Sequence, residues 1–438
     1  MSPTDDQDWV GYLDSLAAFG MRPGLERVTA LLDRLDRPQE SYGVIHVVGT
    51  NGKSSTVRYC EALLREHGVR SGAYLSPHIS GWSERVVVAG RPIDEGRFAA
   101  AVWRVRTEVA ALPRDLGETT QFEVLTVAAL LAFAESDVRA VALEAGLGGR
   151  LDATNVVRAP VVVLTNIALE HTEVLGGTRN LIFAEKAAVI KGGHVVFGEL
   201  EGLEDAARRA CSAAGAAPHF LRDVARSGDF AVSGAPDDFA VDFATDGVPE
   251  RWAGLGVPTP ALYQVRNAAL AVVATRLFLG RLDENAVRRA LAGTPVPGRL
   301  QVVTDRPLLL ADGAHNPDGA RVLAQSLTAL DMPRPAVGVL AIMRDKDYRT
   351  MLARLLPLFD AVVCTEASEP RSLTAMGLAA AARDVTVADG PAGQIEAVVD
   401  PHAALTRART LAGSAGSVVV AGSLYLLEDL RDVLAGAG

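Results

Sequence analysis

The segment from Val44 to Ser55, VIHVVGTNGKSS, places a β-branched run directly before a glycine-broken turn and the residues Lys-Ser-Ser. The amphipathic stretch from Thr56 to His67 follows, so the local pattern predicts a buried strand, a turn and a helix. Backbone N–H groups of such a turn converge on a polyphosphate, and the helix N-terminus adds its positive dipole end. The segment therefore predicts a phosphate-binding loop in which Lys53 reaches the outer phosphates and Ser54 or Ser55 holds a divalent cation.

This loop has the shorter Gly-x-x-Gly-Lys-Ser form. The general pattern places a glycine five residues before Gly52, where this chain has Val47. The strand and helix on either side supply the context that the motif requires. The segment alone leaves open a second interpretation, a glycine-rich strand-to-helix turn with an exposed lysine.

Length and composition restrict the remaining possibilities. A chain of 438 residues, 49% hydrophobic and 22% charged, is typical of a globular protein with two or three domains. No apolar run approaches the ~20 residues that span a bilayer, and the first residues are acidic, so we expect a cytoplasmic protein without membrane contacts. The three cysteines are far apart, which favours buried thiols. A net charge of -10 argues against general nucleic-acid binding.

β-Branched runs alternate with alanine- and leucine-rich helical patterns along the chain, which predicts the α/β class with a mostly parallel sheet. The segment 220–262 is polar and broken by Gly, Pro and Asp, and it predicts a strand-rich peripheral region. Predicted strands are Ile45–Val48, Ala140–Glu144, Val161–Thr165, Val195–Phe197, Leu308–Ala311, Val337–Leu340, Ala361–Cys364 and Ser417–Ala421.

Two prolines and a glycine within Thr294–Gly298 can continue neither a helix nor a central strand. We therefore expect a domain of residues 1–296 that carries the phosphate loop, followed by a smaller Rossmann-like α/β domain of residues 297–438. We expect a hinge near Pro295–Gly298, and a cleft between two such domains is the expected place of an active site.

Polar residues interrupt the apolar strands where they end, and ligands of open α/β sheets collect beyond the carboxyl ends of the strands. Glu144 follows an apolar strand and precedes a loop of three glycines, so it is a candidate Mg²⁺ ligand, although a helix cap or an ion pair is also possible. Glu170 and His171 follow the next strand. Lys186 lies in an apolar helical pattern, where an ammonium is costly unless it is paired or modified.

The segment Asp312 to Pro317 repeats this arrangement in the second half of the chain. A helix cap by Asp312 or Asn316 is one interpretation. His315 beside a carboxylate at a strand end also fits a site that handles developing negative charge.

Together these segments resemble the folylpolyglutamate synthase/dihydrofolate synthase family of the ATP-dependent Mur ligase superfamily, over about Phe19 to Arg431. The segments occur in family order. They are FGMRPGLER from Phe19, GTNGK from Gly49, SPH from Ser76, ER at Glu84, QFE from Gln121, EAGLGGRLDATN from Glu144, HTEVLG from His171, EKA from Glu185, NA at Asn267, PGRL from Pro297, DGAHNP from Asp312, DKD from Asp345 and GSLY from Gly422.

The resemblance implies an amide ligase that spends ATP to join L-glutamate to a pteroate or folate carboxylate through an acyl phosphate. It also implies a role for each matched position. The positions implied to bind ATP are Thr50, Asn51, Gly52, Lys53, Ser54, Asn267, Arg299, Asp312 and His315, and those implied to bind Mg²⁺ are Ser76, Glu144 and His171. The positions implied to bind the substrates are Met21, Arg22, Gln121, Phe122, Glu123, Asp152 and Ser423. The positions implied to be catalytic are Lys53, Lys186 and His315.

The resemblance further implies that Lys186 is carbamylated and helps to hold a second Mg²⁺, and we expect a monomer. Three positions depart from the family pattern, with Ser54 and Ala188 in place of glycine and Glu170 in place of aspartate. These departures leave room for a paralogous ligase that acts on another acid. A non-catalytic ATP-binding regulator is the other alternative, and the presence of the full polar set speaks against it.

Overall fold

The computed structural model describes residues 8–16, 22–77, 81–222, 230–245, 248–389 and 393–434. The chain divides into two compact units. The first unit consists of Met1–Gly234, Phe239–Gly256 and Arg266–Thr294, and the second consists of Ala235–Asp238, Val257–Val265 and Pro295–Gly438.

An eleven-stranded sheet is described for the first part of the chain, in the order β11-β10-β9-β8-β7-β6-β1-β5-β2-β3-β4. Its central strands pair in parallel, whereas β10 with β11, β2 with β3 and β3 with β4 pair antiparallel. The strands are β1 (Gly43–Val48), β2 (Ser71–Tyr74), β3 (Val86–Val88), β4 (Arg91–Pro92), β5 (Ala140–Glu144), β6 (Val161–Asn166), β7 (Gly193–Glu199), β8 (Ala216–Arg222), β9 (Phe230–Ala235), β10 (Asp238–Thr245) and β11 (Val248–Leu255).

Ten helices accompany this sheet in the described residues: α1 (Trp9–Leu16), α2 (Glu26–Arg34), α3 (Lys53–Glu66), α4 (Glu95–Val109), α5 (Gln121–Glu135), α6 (Thr172–Leu175), α7 (Arg179–Ala187), α8 (Glu204–Ala214), α9 (Leu262–Leu279) and α10 (Glu284–Ala292). Helix α5 shows why such segments are helical. Thr120 and Glu123 form a capping box, and eleven consecutive residues of the helix are buried, from Glu123 to Phe133. Such a helix packs in the protein interior.

The second unit contains a six-stranded sheet in the order β12-β13-β17-β14-β15-β16, parallel except for the β12–β13 pair. Alternate residues of its strands enter two separate apolar cores: Leu310 and Val419 enter one, and Leu309 and Val418 enter the other. The elements are β12 (Gln301–Asp305), β13 (Leu308–Ala311), α11 (Pro317–Leu330), β14 (Ala336–Leu340), α12 (Tyr348–Leu355), β15 (Ala361–Cys364), α13 (Ala375–Asp389), β16 (Gln394–Ala397), α14 (Pro401–Ala412), β17 (Ser417–Ala421), α15 (Leu424–Asp429) and α16 (Arg431–Leu434).

The predicted α/β class with mostly parallel sheets is confirmed, and each of the eight predicted strands lies within a strand of the structure. The segment 220–262 contains strands, as predicted, and these form one edge of the first sheet. None of the helices in the described ranges has the length and apolar character that a bilayer crossing requires.

Candidate active site

The candidate phosphate loop follows β1, which lies between β5 and β6 in the first sheet. Strand order reverses at this point, because β1 is adjacent to two strands that come later in the chain and that pair with it in parallel. The carboxyl ends of the three strands therefore meet at one edge of the sheet, where open α/β sheets bind ligands. This order brings the loop between Glu144 of β5 and Asn166 of β6.

At two positions of the loop, the backbone conformation and the close packing both require glycine. Gly49 has φ 152° and Gly52 has φ 81°, values that favour glycine. A Cβ atom would also collide with the Thr165 hydroxyl at Gly49 and with the Asn267 side-chain oxygen at Gly52. The loop therefore lies directly against β6 and α9, and Asn267, a predicted ATP contact, lies beside Gly52.

Hydrogen bonds to the end of β6 hold the loop in place. The backbone N–H of Asn51 donates to the side-chain oxygen of Asn166 at 2.8 Å, and the N–H of Thr50 donates to the Asn166 carbonyl at 3.1 Å. Thr165 donates its hydroxyl to the Asn51 carbonyl at 2.6 Å, and the Thr50 hydroxyl accepts from the Ala168 N–H at 3.1 Å. The loop is therefore preorganised by a neighbouring strand, which lowers the cost of ordering it around a ligand.

Two lysines converge on one carbonyl of the loop. Lys53 Nζ donates to the carbonyls of Gly49 at 3.2 Å and Thr50 at 3.1 Å. Lys186 Nζ, from α7, donates to the same Gly49 carbonyl at 2.7 Å. The structure thus brings together two of the three residues that the sequence predicts to be catalytic.

Lys186 is 4% exposed, and this burial changes the pKa of its ammonium group. Loss of solvation, together with the nearby Lys53 ammonium, lowers the pKa of Lys186 to about 7, against the opposing attraction of Glu170 and Asp152. In a substantial fraction of the molecules, Lys186 is consequently a neutral amine near neutral pH. A neutral amine is a nucleophile, which an ordinary surface lysine is not at that pH.

Glu144 is a buried carboxylate with a donor on each oxygen. Its Oε1 accepts from the Ser54 hydroxyl at 3.0 Å, and its Oε2 accepts from the Ser76 N–H at 3.1 Å. Mg²⁺ binds oxygen ligands at 2.0–2.1 Å in an octahedron, so two adjacent ligands lie about 3.0 Å apart. Ser54 and Glu144 therefore already have the spacing that this ion requires.

The described residues contain no group of three or more His, Cys, Asp or Glu side chains able to hold a metal ion. A cation beside Glu144 would complete its shell with hydroxyl, water and phosphate oxygens, as is usual for Mg²⁺. His171, the third predicted ligand, has a half-exposed side chain with Nε2 4.0 Å from Glu170 Oε1. Its backbone has φ 49°, an uncommon conformation for a residue with a side chain, and such residues cluster at functional sites.

The residues predicted to bind the pterin lie around the start of α5 and the loop after β5. The Phe122 ring packs 6.2 Å from the Tyr74 ring and closes over Gly146. Asp152 is buried and accepts from the Leu147 N–H at 2.7 Å. Gln121 donates to the Leu13 carbonyl at 2.9 Å. Met21 lies outside the described residues.

Glu123, another predicted substrate contact, forms a buried ion pair with Arg27 at 2.9 Å and caps α5 through the Thr120 N–H at 2.7 Å. Arg27 also donates to the Arg22 carbonyl at 2.8 Å and the Leu116 carbonyl at 3.3 Å. One guanidinium thus joins the segment at Arg22 to the start of α5.

We expect Arg27→Ala to lower the free energy of unfolding by about 3–5 kcal/mol, because it leaves the Glu123 charge buried without its partner. Urea denaturation followed by circular dichroism measures this change. Arg37→Ala is the matched control, since it removes a similar ion pair, 2.7 Å from Asp33, on the surface. Equal small effects of both substitutions would contradict the prediction.

Three predicted residues of the second unit, Asp312, His315 and Ser423, follow the neighbouring strands β13 and β17. The fourth, Arg299, precedes β12, whose first residue pairs with the last residue of β13. Asp312 is buried, and its oxygens accept from the Tyr263 hydroxyl at 2.5 Å, the Leu300 N–H at 2.8 Å and the Ala314 N–H at 2.8 Å. Burial raises the pKa of Asp312, while Tyr263 and the Arg299 charge oppose the change. Asp312 therefore organises the loop after β13 with Arg299 nearby.

His315 and Ser423 follow β13 and β17 and take part in local hydrogen bonds. His315 Nδ1 bonds to the Gly313 carbonyl at 2.8 Å, and because a carbonyl only accepts, Nδ1 carries the hydrogen. Ser423 is the N-cap of α15 and accepts from the Tyr425 N–H at 3.1 Å. Asn316, not Asp312, caps α11, by accepting from the Gly319 N–H at 2.7 Å. The capping interpretation thus applies to Asn316 alone.

Sequence reasoning missed several residues that shape the first site: Arg27, His46, Tyr74, Thr154, Thr165 and Asn166. For His46 a signal was available, because a histidine interrupts an otherwise apolar strand and a buried polar group needs a partner. Arg27, Tyr74, Thr165 and Asn166 have partners that are distant in the sequence. Thr154 bonds to Asp152 two residues away, but its contact with His46 is long-range, and no short pattern indicates it.

A phosphate loop at the switch point of one parallel sheet, followed by a second α/β unit, defines the class of the Mur ligases. Residues 47–195 match the Mur ligase middle domain, and residues 298–424 match the Mur ligase glutamate ligase domain. The chain is 36% identical over 383 residues to the dihydrofolate synthase/folylpolyglutamate synthase of Mycobacterium tuberculosis, covering 82% of this chain and 77% of that protein. The chain belongs to the dihydrofolate synthase/folylpolyglutamate synthase family.

Solved structures agree with this assignment. Escherichia coli FolC in complex with DHPP and ADP superposes with a TM-score of 0.86 at 30% identity, covering 98% of this chain and 97% of that one. The bifunctional folylpolyglutamate synthase/dihydrofolate synthase from Yersinia pestis, complexed with AMPPNP and a manganese ion, superposes with a TM-score of 0.84 at 30% identity, covering 98% of each chain.

Proposed function

We propose that this protein is an ATP-dependent ligase that joins L-glutamate to the carboxylate of a pteroate or folate. One observation carries the proposal: the convergence of Lys53 and Lys186 on the Gly49 carbonyl of the phosphate loop. A loop that only held a nucleotide would have no need of a second, buried lysine with a pKa near 7. The relatives bound to ADP with DHPP, and to AMPPNP with manganese, support the same conclusion.

A carboxylate is a poor electrophile at neutral pH, so the acid must first receive the terminal phosphoryl group of ATP. The carboxylate oxygen attacks the phosphorus, the bond to ADP breaks, and an acyl phosphate results. Lys53 and the N–H groups at the start of α3 stabilise the negative charge that spreads over the phosphoryl oxygens. The glutamate amine then attacks the acyl carbon, phosphate leaves, and the amine loses a proton.

Glu144, Ser54, Ser76 and His171 form the proposed Mg²⁺ site. The divalent ion supplies charge neutralisation of the phosphate oxygens when bound. The buried Glu144 carboxylate orients its two oxygens through the Ser54 hydroxyl and the Ser76 N–H. This fixed orientation avoids reorganisation when an ion arrives.

We propose that Lys186 is carbamylated. Its neutral amine attacks CO₂, an N–C bond forms and a proton leaves, so the side chain gains a negative charge. Burial and the pKa of about 7 provide the required neutral amine. The carbamate oxygens are suited to a second Mg²⁺, since hard ions prefer anionic oxygen ligands.

The remaining assignments rest on the family resemblance. Arg299, Asp312 and His315 contact ATP, Ser423 lies near the glutamate, and the Arg22, Gln121, Phe122, Glu123 and Asp152 set surrounds the pterin. We further propose a cytoplasmic monomer whose substrates are L-glutamate with dihydropteroate, reduced folates or both.

The test is release of phosphate from ATP by purified protein, with dihydropteroate and a reduced folate monoglutamate assayed in parallel. We expect release that requires glutamate and at least one of these acids, with the product confirmed by mass spectrometry. Activity with neither acid, despite binding of ATP, would contradict the proposal. Release with a different acid would indicate the paralogous ligase, and no release with any acid would indicate the regulator.

Ser54 is expected to set the affinity of the metal site. Ser54→Gly restores the residue typical of the family but removes the donor to Glu144, so we expect the Kd for Mn²⁺ in the presence of AMPPNP to rise on the order of 10-fold. Electron paramagnetic resonance measures free Mn²⁺ directly, without turnover. Ser54→Thr keeps the hydroxyl and is expected to retain affinity. An unchanged Kd in Ser54→Gly would show that Ser54 has no role in metal binding.

A further inference from the structure

A buried hydrogen-bonded chain links the strand before the phosphate loop to Asp152. His46 lies in β1 and is 1% exposed, and its Nε2 is 2.9 Å from the Thr154 hydroxyl. The Thr154 hydroxyl donates in turn to Asp152 Oδ1. His46 comes from β1, whereas Asp152 and Thr154 come from the start of a short 3-10 helix (Ala153–Val156) more than 100 residues later. These hydrogen bonds therefore exist only in the folded protein.

The directions of these bonds follow from their chemistry. Asp152 Oδ1 accepts from the Thr154 N–H at 3.0 Å, and Oδ2 accepts from the Leu147 N–H at 2.7 Å, so both oxygens act as acceptors. The single hydrogen of the Thr154 hydroxyl is directed to Asp152. Its oxygen therefore accepts from His46, which assigns the hydrogen of the neutral imidazole to Nε2.

His46 is held in that neutral form. Burial, together with the charge of Lys191, lowers the pKa of His46 to about 3. Lys191 donates to the carbonyls of Asn155 and Val157, so it secures the far end of the same segment. His46 and Lys191 thus hold the segment from Asp152 to Val157 at two points. The neutral imidazole of His46 is at the end near the Asp152 carboxylate, and the Lys191 ammonium is at the other end.

We propose that His46 is a positioning residue that acts through Thr154 to orient the Asp152 carboxylate toward the ring donors of the pterin substrate. This inference rests on the proposed function, because Asp152 is there assigned to the pterin. A carboxylate with its oxygens fixed by three protein donors presents its remaining acceptor sites in a constant direction. Loss of the His46 donor frees the Thr154 hydroxyl to rotate and weakens its bond to Asp152 Oδ1. The N–H groups of Thr154 and Leu147 still hold the carboxylate, so its orientation becomes less restricted without being lost.

The test compares four variants by steady-state kinetics. His46→Phe and Thr154→Val remove the bond, and we expect each to raise KM for the pterin substrate on the order of 10-fold while KM for ATP stays unchanged. His46→Gln returns a donor near the Nε2 position and is expected to restore most of the affinity. Val44→Ala is the control, since it removes buried volume from the same face of the same strand without touching Thr154.

A rise in all substrate KM values, or the same rise in Val44→Ala, would show that His46 only stabilises the fold and would overturn the inference. An unchanged pterin KM in His46→Phe would overturn it as well. Nitrogen-15 NMR of the histidine side chains provides a readout independent of turnover, with the hydrogen of His46 expected on Nε2. If the parent protein shows no pterin-dependent activity, the proposed function fails, whereas a hydrogen on Nδ1 alone refutes the chain from His46 to Asp152.

Discussion

Lys53→Ala is expected to lower kcat/KM for ATP by about 10²–10³-fold, the usual cost of removing one group that stabilises transition-state charge. Lys53 is the first residue of α3, and its ammonium lies over the Gly49 and Thr50 carbonyls. A lysine that follows such a loop at the start of a helix is placed to contact bound phosphates. Initial rates of ADP release at saturating glutamate and acid measure the loss.

The matched control is Arg65→Ala, which removes one positive charge from the other end of the same helix. Arg65 pairs with Glu61 and Glu66, away from the loop, so its removal should leave the rate close to that of the parent protein. Equal rates for Lys53→Ala and the parent protein would mean that the loop does not hold the reacting phosphates.

Lys186→Met is expected to have two opposite effects, a loss of activity and a gain in stability. Activity should fall by at least about 10²-fold, because no carbamate can form. The free energy of unfolding should rise by a few kcal/mol, because the buried ammonium is replaced by an apolar side chain of similar length. The Gly49 carbonyl keeps Lys53 as a donor, so no buried acceptor is left without a partner.

The stability gain depends on pH with a defined sign. The pKa of Lys186 is about 7 in the folded protein and near its ordinary value of 10.5 in the unfolded chain. Between these two values the unfolded chain binds more protons, so the stability of the parent protein rises with pH in that window. The advantage of Lys186→Met should therefore be greatest below about pH 7 and should disappear as pH approaches the ordinary lysine pKa.

Urea denaturation of both proteins in CO₂-free buffer measures this difference. Added bicarbonate should raise the activity of the parent protein and leave Lys186→Met unchanged. A variant that keeps full activity would refute the proposed role of Lys186. A variant that is less stable than the parent protein at every pH would show that burial of the ammonium is not costly.

Much of the candidate site around the loop after β1 could be predicted, because the sequence patterns that indicate it extend over only a few neighbouring residues. The β-branched run before Gly49 and the helical pattern after Lys53 define the strand, turn and helix within a single short segment. The same kind of pattern predicts the strand that ends at Glu144 in the first sheet and the strand that ends at Ala311 in the second. Side chains that follow parallel strands lie at the carboxyl edge of the sheet to which those strands belong.

Ser54 shows where this local reasoning stops. The residue departs from the family pattern, and the sequence only indicated an extra cation ligand. The structure places its hydroxyl 3.0 Å from Glu144 Oε1, which joins the start of α3 to the end of β5. The partner is 90 residues away in the chain, and no short pattern connects the two.

The sequence by itself determined the types of the elements, the phosphate loop and the polar strand ends, because hydrophobic periodicity and turn residues act over a few neighbouring positions. Only the tertiary structure decided that Lys186 shares the Gly49 carbonyl with Lys53, that Arg27 neutralises Glu123 and that His46 reaches Asp152 through Thr154. These contacts depend on which strands become neighbours, and strand order is a property of the whole fold. Burial then changed the chemistry, since removal of water turned Lys186 from an ordinary cation into a group with a pKa of about 7.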